Sequence, residues 1–124
     1  MRKDLEQKLV ARWPTWFDVK GDPRLTRMAD GFAHNDGWFD LVWRLCEALE
    51  PLVRELEKES GEPWCVRQVK EKFGGLRFYV SKSNDRIRSL IEAAEERSYQ
   101  ICDRCGAPGT LRELPARTRC DVHR

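Results

Sequence analysis

The chain has 124 residues, of which 40% are hydrophobic and 35% are charged. This length favours a single domain, and five Trp, five Phe and two Tyr residues supply enough apolar surface for a packed core. Such a composition excludes an intrinsically disordered chain. The formal net charge of +2 is too small to indicate either a histone-like binder of nucleic acid or an acidic tail protein.

No segment of the sequence has the features of a membrane span or an export signal. Its apolar runs are much shorter than the roughly 18 residues that cross a bilayer. The N-terminus, Met1-Arg2-Lys3-Asp4, is charged where a signal peptide would continue into an apolar region. The five cysteines are an odd number and most lie near the C-terminus, which favours metal binding in a reducing compartment over disulfides. We therefore predict a cytoplasmic protein without a membrane partner.

The N-terminal part is predicted to contain one short helix and an irregular arm. Apolar residues recur at helical spacing over residues 2–12. The helix should end at Trp13-Pro14, because the residue before a proline is driven out of the α region. Residues 13–36 show no sustained period and are expected to form the arm. Its turn-forming residues are Pro14, Gly21, Pro23 and Gly31, and its apolar anchors are Trp13, Trp16, Phe17 and Phe32.

The strongest predicted element is a long helix that starts near residue 36. Asn35 or Asp36 is expected to cap its N-terminus, and Gly61 should mark its end. Pro51 lacks a backbone donor, so it predicts a kink or a break within this helix. The apolar stripe that should face the core comprises Trp38, Val42, Leu45, Leu49, Leu52 and Leu56, widened by Phe39, Cys46 and Val53.

A β-hairpin follows the long helix in the prediction. Residues 64–73 and 76–80 are rich in β-formers, and the second run alternates between apolar and polar residues. The pair Gly74-Gly75 between them is typical of a tight hairpin turn. The second strand should therefore present one face to the core and the other to solvent.

A third helix completes the predicted core. It should cover residues 85–100, with Ser83 or Asn84 as its N-cap. The resulting fold class is α+β, with helices packed on a small antiparallel hairpin or sheet. We predict that residues 1–101 form this core domain, with the irregular arm as part of it.

The C-terminal segment, residues 102–124, carries a pattern typical of a zinc site. Cys102 and Cys105 are separated by two residues, which lets one tight turn present both thiolates to the same ion. Cys120 and His123 repeat this spacing after a gap long enough for a short hairpin. Three thiolates and one imidazole fill a tetrahedral shell and leave no open position. The predicted cofactor is one structural Zn²⁺, held in a treble-clef-like zinc knuckle that packs on the same domain.

Four other residues could carry chemistry but also have structural interpretations. Cys46 falls on the apolar stripe and Cys65 lies in a predicted strand, so both are expected to be packed thiols. His34 and Asp36 form the other His–acid pair of the sequence and are candidates for acid–base chemistry. A loop histidine beside a helix cap more often belongs to the surface or to the cap itself.

A run of bases and aromatics on the predicted hairpin is the candidate interaction surface. Lys70 and Lys72 share one side of their strand, and Arg77 points away from the core on the next strand. These three residues form the predicted partner-binding patch. Interleaved bases and aromatic rings also bind nucleic-acid strands, and a simple solvated hairpin face is the alternative. The acidic run over residues 40–62 and the basic run over 65–88 could mark a docking face or complement each other within the fold.

Three sequence blocks carry a resemblance to known proteins. They are Asp36-Gly37-Trp38-Phe39-Asp40-Leu41 with Leu45-Cys46, residues 68–79 (QVKEKFGGLRFY), and Cys102-x2-Cys105-Gly106 with its partner pair. On these blocks the chain resembles a group of small bacterial and phage proteins of unassigned function over about residues 36–123. The resemblance implies a phage or prophage setting, where small proteins often act by binding host machinery. It implies no reaction and no substrate.

These observations predict a non-enzymatic, zinc-stabilised binding protein. Its expected partner is a host protein or a protein–nucleic-acid complex, for example a host defence complex of the kind that an anti-CRISPR protein inhibits. The first alternative is a direct nucleic-acid-binding protein that uses the basic hairpin. The second is an enzyme of unknown chemistry around His34 and Asp36. The sequence leaves the partner, the oligomeric state and the inhibitory or accessory role open.

Overall fold

A computed structural model describes residues 1–18, 22, 24 and 26–124. Within these residues the chain forms three α-helices and two two-stranded antiparallel sheets, so the predicted α+β class is confirmed. No described helix is long and apolar enough to cross a membrane. In chain order the elements are α1 (Lys3–Arg12), α2 (Phe39–Ser60), β1 (Val66–Lys72), β2 (Gly75–Val80), α3 (Asp85–Ser98), β3 (Thr110–Glu113) and β4 (Ala116–Arg119), with single 3₁₀ turns at Met28–Asp30 and Asp36–Trp38.

One hydrophobic core lies between α2, α3, the arm and the inner face of the β1–β2 hairpin, which we call hairpin 1. It includes most of the apolar stripe predicted for the long helix, because a residue every three or four positions keeps one face of α2 inward. Cys46 is fully buried in this core and Cys65 is half-buried, so neither thiol is on open surface. All buried members of the core cluster precede residue 95. The C-terminal segment therefore adds none of them.

The ends of α2 and α3 test the predicted caps. Neither Asn35 nor Asp36 caps α2 through its side chain, because a 3₁₀ turn precedes the helix. Asp36 Oδ1 instead accepts a hydrogen bond from the Arg2 backbone N–H at 2.8 Å. The prediction for α3 is confirmed, since Asn84 Oδ1 accepts from the Ile87 N–H at 2.9 Å. At the other end of α2, Gly61 adopts a left-handed conformation that ends the helix as expected.

Pro51 does not break α2. The helix runs continuously from Phe39 to Ser60, with the proline ring exposed. A proline removes one backbone hydrogen bond, but the packed apolar face on both sides of it holds the helix together.

The turn of hairpin 1 lies one residue earlier than the sequence suggested. Lys72 pairs with Gly75, so the two-residue loop is Phe73-Gly74 rather than Gly74-Gly75. Both loop residues have positive φ, 53° at Phe73 and 87° at Gly74, as a type I′ turn requires. Gly75 serves packing instead, because a Cβ there would lie 2.3 Å from the Tyr99 hydroxyl oxygen.

Both edges of hairpin 1 are covered. The arm lies along β1, where the Ala33 N–H donates to Val69 O at 3.0 Å and Ala33 O accepts from the Glu71 N–H at 2.9 Å. Helix α3 covers β2, where the Leu76 N–H donates to Ser98 Oγ at 2.9 Å. The described residues of the arm form only 3₁₀ turns and this one bridge to β1. Two of its predicted turn residues, Gly21 and Pro23, lie outside the described residues.

Candidate metal centre

Four side chains of the C-terminal segment converge, and we call them the Cys/His cluster: Cys102, Cys105, Cys120 and His123. Their ligand atoms all lie within 4.8 Å of one another. Cys105 Sγ is 3.7 Å from Cys120 Sγ, far beyond the roughly 2.05 Å of a disulfide, and all three cysteines are free. His123 Nδ1 lies 3.3 Å from Cys120 Sγ and 3.8 Å from Cys102 Sγ. The arrangement is compatible with binding a metal ion.

Two local structures bring the four residues together. The first is a tight turn in which the Gly106 N–H donates to Cys102 O at 2.9 Å and Gly106 adopts a positive φ of 82°. The second is the β3–β4 hairpin, which we call hairpin 2. It returns the chain so that Cys120 and His123 face the first pair, with the His123 N–H donating to Cys120 O at 3.2 Å.

The environment of Cys102 favours the thiolate that a metal requires. Burial by itself opposes ionisation of this thiol. Hydrogen bonds from the backbones of Cys120, Cys105 and Arg104 outweigh it and lower the pKa of Cys102 to about 6.

The cluster docks onto the N-terminal end of α2 through a close backbone contact at Gly37. The Gly37 N–H donates to Asp103 O at 2.8 Å, and a Cβ at Gly37 would lie only 2.1 Å from Cys102 O. Beside it, the indole N–H of the fully buried Trp38 donates to Ile101 O at 2.9 Å. These contacts explain why a Gly-Trp pair stands at this point of the sequence.

Hairpin 2 also contacts hairpin 1 directly. The buried Thr118 hydroxyl donates to Gly74 O at 2.7 Å. Within the cluster segment, Asp103 is only 1% exposed and pairs with the Arg119 guanidinium. A buried charge pair is costly to break, because removing one partner leaves the other desolvated and unpaired. This pair could not be predicted, because in the sequence the two residues look like ordinary surface charges.

The structure brings the predicted partner-binding residues onto the outer face of hairpin 1. Lys70 lies directly opposite Arg77 in the register, and Lys72 lies on the same side nearer the turn. Within the described part of the chain, no carboxylate lies within 4 Å of any of the three cationic groups. Arg77 is half-buried, with its guanidinium nitrogens 3.4 Å from the Tyr99 hydroxyl oxygen.

Phe73 lies in the turn of the same hairpin, whereas the sequence predicted it as the last residue of the first strand. Its side chain is 70% exposed, and its φ of 53° costs a non-glycine residue about 1 kcal/mol. The Lys72 ammonium lies 5.6 Å from the centre of its ring. Neither packing nor turn chemistry explains a phenylalanine here, and only the register of the hairpin reveals its position.

The proposed catalytic pair of the sequence is not assembled. His34 is buried rather than on the surface, and its Nδ1 lies 2.8 Å from Asn35 O. Among the described residues, His34 Nε2 has no hydrogen-bond partner. Asp36 is engaged by the backbone and side chain of Arg2 rather than by His34.

Lowering the pH from 7 to 5 is expected to cost about 2 kcal/mol of folding free energy through His34. Burial lowers the pKa of the folded imidazole to about 4, against the raising effect of its hydrogen bond to Asn35. The unfolded chain gains this proton near pH 6.5, so stability is lost as the pH falls from there towards 4. Urea denaturation at both pH values should show a smaller loss in His34→Gln than in the wild type. Equal losses would contradict the prediction.

Comparison with known proteins gave no matching family model, no similar curated protein and no similar solved structure. The resemblance carried by the three sequence blocks therefore stays a prediction.

Proposed function

We propose that this chain is a non-enzymatic binding protein stabilised by one structural zinc ion. It would act in a phage or prophage setting on a host protein or a protein–nucleic-acid complex. The observation that carries the proposal is the Cys/His cluster, which gathers a complete set of four metal ligands while hairpin 1 keeps an open cationic face.

The spacing of the cluster supports zinc as the metal. Tetrahedral zinc with Zn–S bonds of about 2.3 Å has sulfur–sulfur separations of about 3.8 Å and slightly shorter sulfur–nitrogen separations. The sulfur–sulfur separation of 3.7 Å between Cys105 and Cys120 fits these values. The sulfur–nitrogen separations of 3.3 and 3.8 Å from His123 to Cys120 and Cys102 lie on either side of them, so the cluster is compatible with a zinc ion. Three soft thiolates and one imidazole also form a donor set that binds zinc in preference to hard cations such as magnesium or calcium.

A structural role follows from the number of ligands. Four protein ligands fill a tetrahedral shell, so no position stays open for water or substrate. The cluster would therefore hold hairpin 2 in place rather than activate a reactant. The enzyme alternative draws little support, because His34 is buried and is not hydrogen-bonded to Asp36.

The binding role rests on the outer face of hairpin 1. Lys70 and Arg77 oppose each other across the strands and Lys72 is exposed, so these residues are available to an anionic partner. The phage setting and the host partner rest on the resemblance of the sequence blocks. A direct contact with nucleic acid is the second candidate, favoured by the aromatic rings on the same face.

Metal analysis and partner capture test the two halves of this proposal. Protein purified without chelators should contain about one zinc per chain. Affinity capture from a host lysate should recover a partner with the wild type. The triple variant Lys70→Glu, Lys72→Glu and Arg77→Glu should fail to recover it. Circular dichroism should check that this variant is folded, because Lys70 and Arg77 are half-buried and only Lys72 is exposed.

The matched control for capture is the double variant His34→Gln and Asp36→Asn. It should retain the partner if binding uses the cationic face. A protein free of zinc would refute the metal assignment. If the charge-reversal variant still captures the partner and the His34 and Asp36 variant does not, the enzyme alternative is favoured instead.

A further inference from the structure

The outer face of hairpin 1 combines three basic side chains with exposed aromatic rings. Along β1, Lys70 and Lys72 point to this face, and along β2 it carries Arg77 and Tyr79. Tyr79 is 43% exposed and Phe73 is 70% exposed at the adjoining turn. Bases and rings therefore alternate over this surface, which Tyr99 and helix α3 border at Arg77.

The register places two like charges directly opposite each other. Lys70 and Arg77 are cross-strand partners, an arrangement that destabilises an antiparallel pair. Among the described residues, neither group has an acidic partner within 4 Å, and the nearby Glu95 acts on Arg77 alone without forming an ion pair with it. A bound polyanion would remove this repulsion by placing phosphates between the two cations.

The turn residue Phe73 points to a ligand that stacks. Asparagine or glycine would fit its left-handed backbone better, and its ring is largely solvent-exposed, so folding gains little from the side chain. An exposed ring beside the Lys72 ammonium offers a flat apolar face next to a phosphate-binding charge. Bases present their flat faces in single strands, whereas a duplex hides them between neighbouring base pairs.

We propose that the outer face of hairpin 1 binds single-stranded nucleic acid, with phosphates at Lys70, Lys72 and Arg77 and bases stacked on Phe73 and Tyr79. This inference rests on the proposed binding function and names the chemistry of its partner. An acidic protein surface would satisfy the charges, but it would leave the exposed rings without a matching contact.

Helix α3 limits the direction in which the strand can run. Arg77 borders a shallow cavity of about 540 Å³ that is also lined by Glu92, Glu95 and Glu96. Carboxylates there repel phosphates. The bound strand therefore follows β1 and the Phe73 turn, and Arg77 marks the limit of its path on the α3 side.

Fluorescence anisotropy with labelled oligothymidylate and zinc-loaded protein tests the inference. We expect binding at low salt, with a slope of log K against log[salt] of about −2 for three phosphate contacts. The triple variant Lys70→Glu, Lys72→Glu and Arg77→Glu should abolish binding. A control triple with the same change in net charge, Lys8→Glu, Arg44→Glu and Lys58→Glu, alters exposed bases on α1 and α2 and should bind nearly as well as the wild type.

Phe73→Asn separates recognition from folding. Asn-Gly is a favoured type I′ turn, so the thermal stability of this variant should equal or exceed that of the wild type. Its affinity for oligothymidylate should nevertheless fall about fivefold or more, because one stacking contact is lost.

Three outcomes would overturn the inference. The first is no binding of oligothymidylate at low salt, and the second is an equal loss of binding in both triple variants. The third is a polyglutamate peptide that competes as strongly as unlabelled DNA, while Phe73→Asn leaves the affinity unchanged. That result would assign the face to an acidic protein partner. Each can occur while zinc content and partner capture remain positive, so failure here is distinguishable from failure of the proposed function.

Discussion

Substituting any one ligand of the Cys/His cluster is expected to unfold the C-terminal segment and leave the helical core folded. Structural zinc supplies apparent binding energy on the order of 10 kcal/mol at neutral pH in small zinc-binding peptides. Apart from the metal, hairpin 2 is held mainly by polar contacts, among them the Asp103–Arg119 ion pair and the hydrogen bond from Thr118 to Gly74. Its strands are four residues long, and its largest apolar side chains, Leu111 and Leu114, are 42% and 99% exposed.

The effect should remain local because the core does not depend on the cluster segment. The buried core cluster runs from Leu9 to Ala94 and includes no residue of hairpin 2. The core would lose a few polar contacts. They include the hydrogen bonds from Thr118 to Gly74 and from Trp38 to Ile101, the Arg117–Glu71 ion pair and the backbone contact of Gly37 with the segment. The loss of these contacts is small compared with the stabilisation from the hydrophobic core, so the core should stay folded.

Limited proteolysis with mass spectrometry measures this prediction. Cys105→Ser and His123→Ala should be cut rapidly after residue 100, while the fragment before it persists. Cys65→Ser provides the control, because this half-buried thiol lies outside the cluster and should leave the C-terminal segment resistant. Wild-type resistance in all ligand variants would show that the metal does not hold the segment.

The sequence predicted the parts of this fold that local patterns encode. Helix α2 followed from a sustained apolar period, and the third helix from its Asn84 cap. The cluster followed from spacing alone, since two residues between paired ligands fix the shape of a tight turn. Each of these signals lies within a short stretch of chain, so it can be recognised without knowledge of the tertiary contacts.

Features that depend on distant contacts could not be predicted. Gly75 was assigned to the turn, but its small size accommodates the Tyr99 ring, which lies more than 20 positions further along the chain. The contact of the arm with β1 could not be predicted either, because Ala33 pairs with the strand edge through backbone groups that every residue has. In both cases the contacting residue is distant in the sequence, so the local pattern does not identify it.

Gly37→Ala is expected to weaken metal binding although Gly37 is far from every ligand in sequence. The added Cβ would lie 2.1 Å from Cys102 O and 2.6 Å from the Asp103 carbonyl carbon. Both are backbone atoms of the ligand turn and cannot move aside as the end of a flexible side chain can. Either the turn shifts away from α2 or the start of α2 is displaced, and the expected loss of stability is about 3 kcal/mol or more.

Competition with a chromophoric chelator and thermal unfolding measure the two effects of Gly37→Ala. We expect both the zinc affinity and the melting temperature to fall, because the same backbone contact holds the ligand turn on the core. Gly61→Ala is the matched control. A Cβ there has no neighbour within 4 Å, so only the strain of its positive φ, about 1 kcal/mol, should be seen and zinc affinity should be unchanged. If Gly37→Ala keeps wild-type zinc affinity, the ligands of the cluster are positioned independently of α2, and the contact at Gly37 only stabilises the start of the helix.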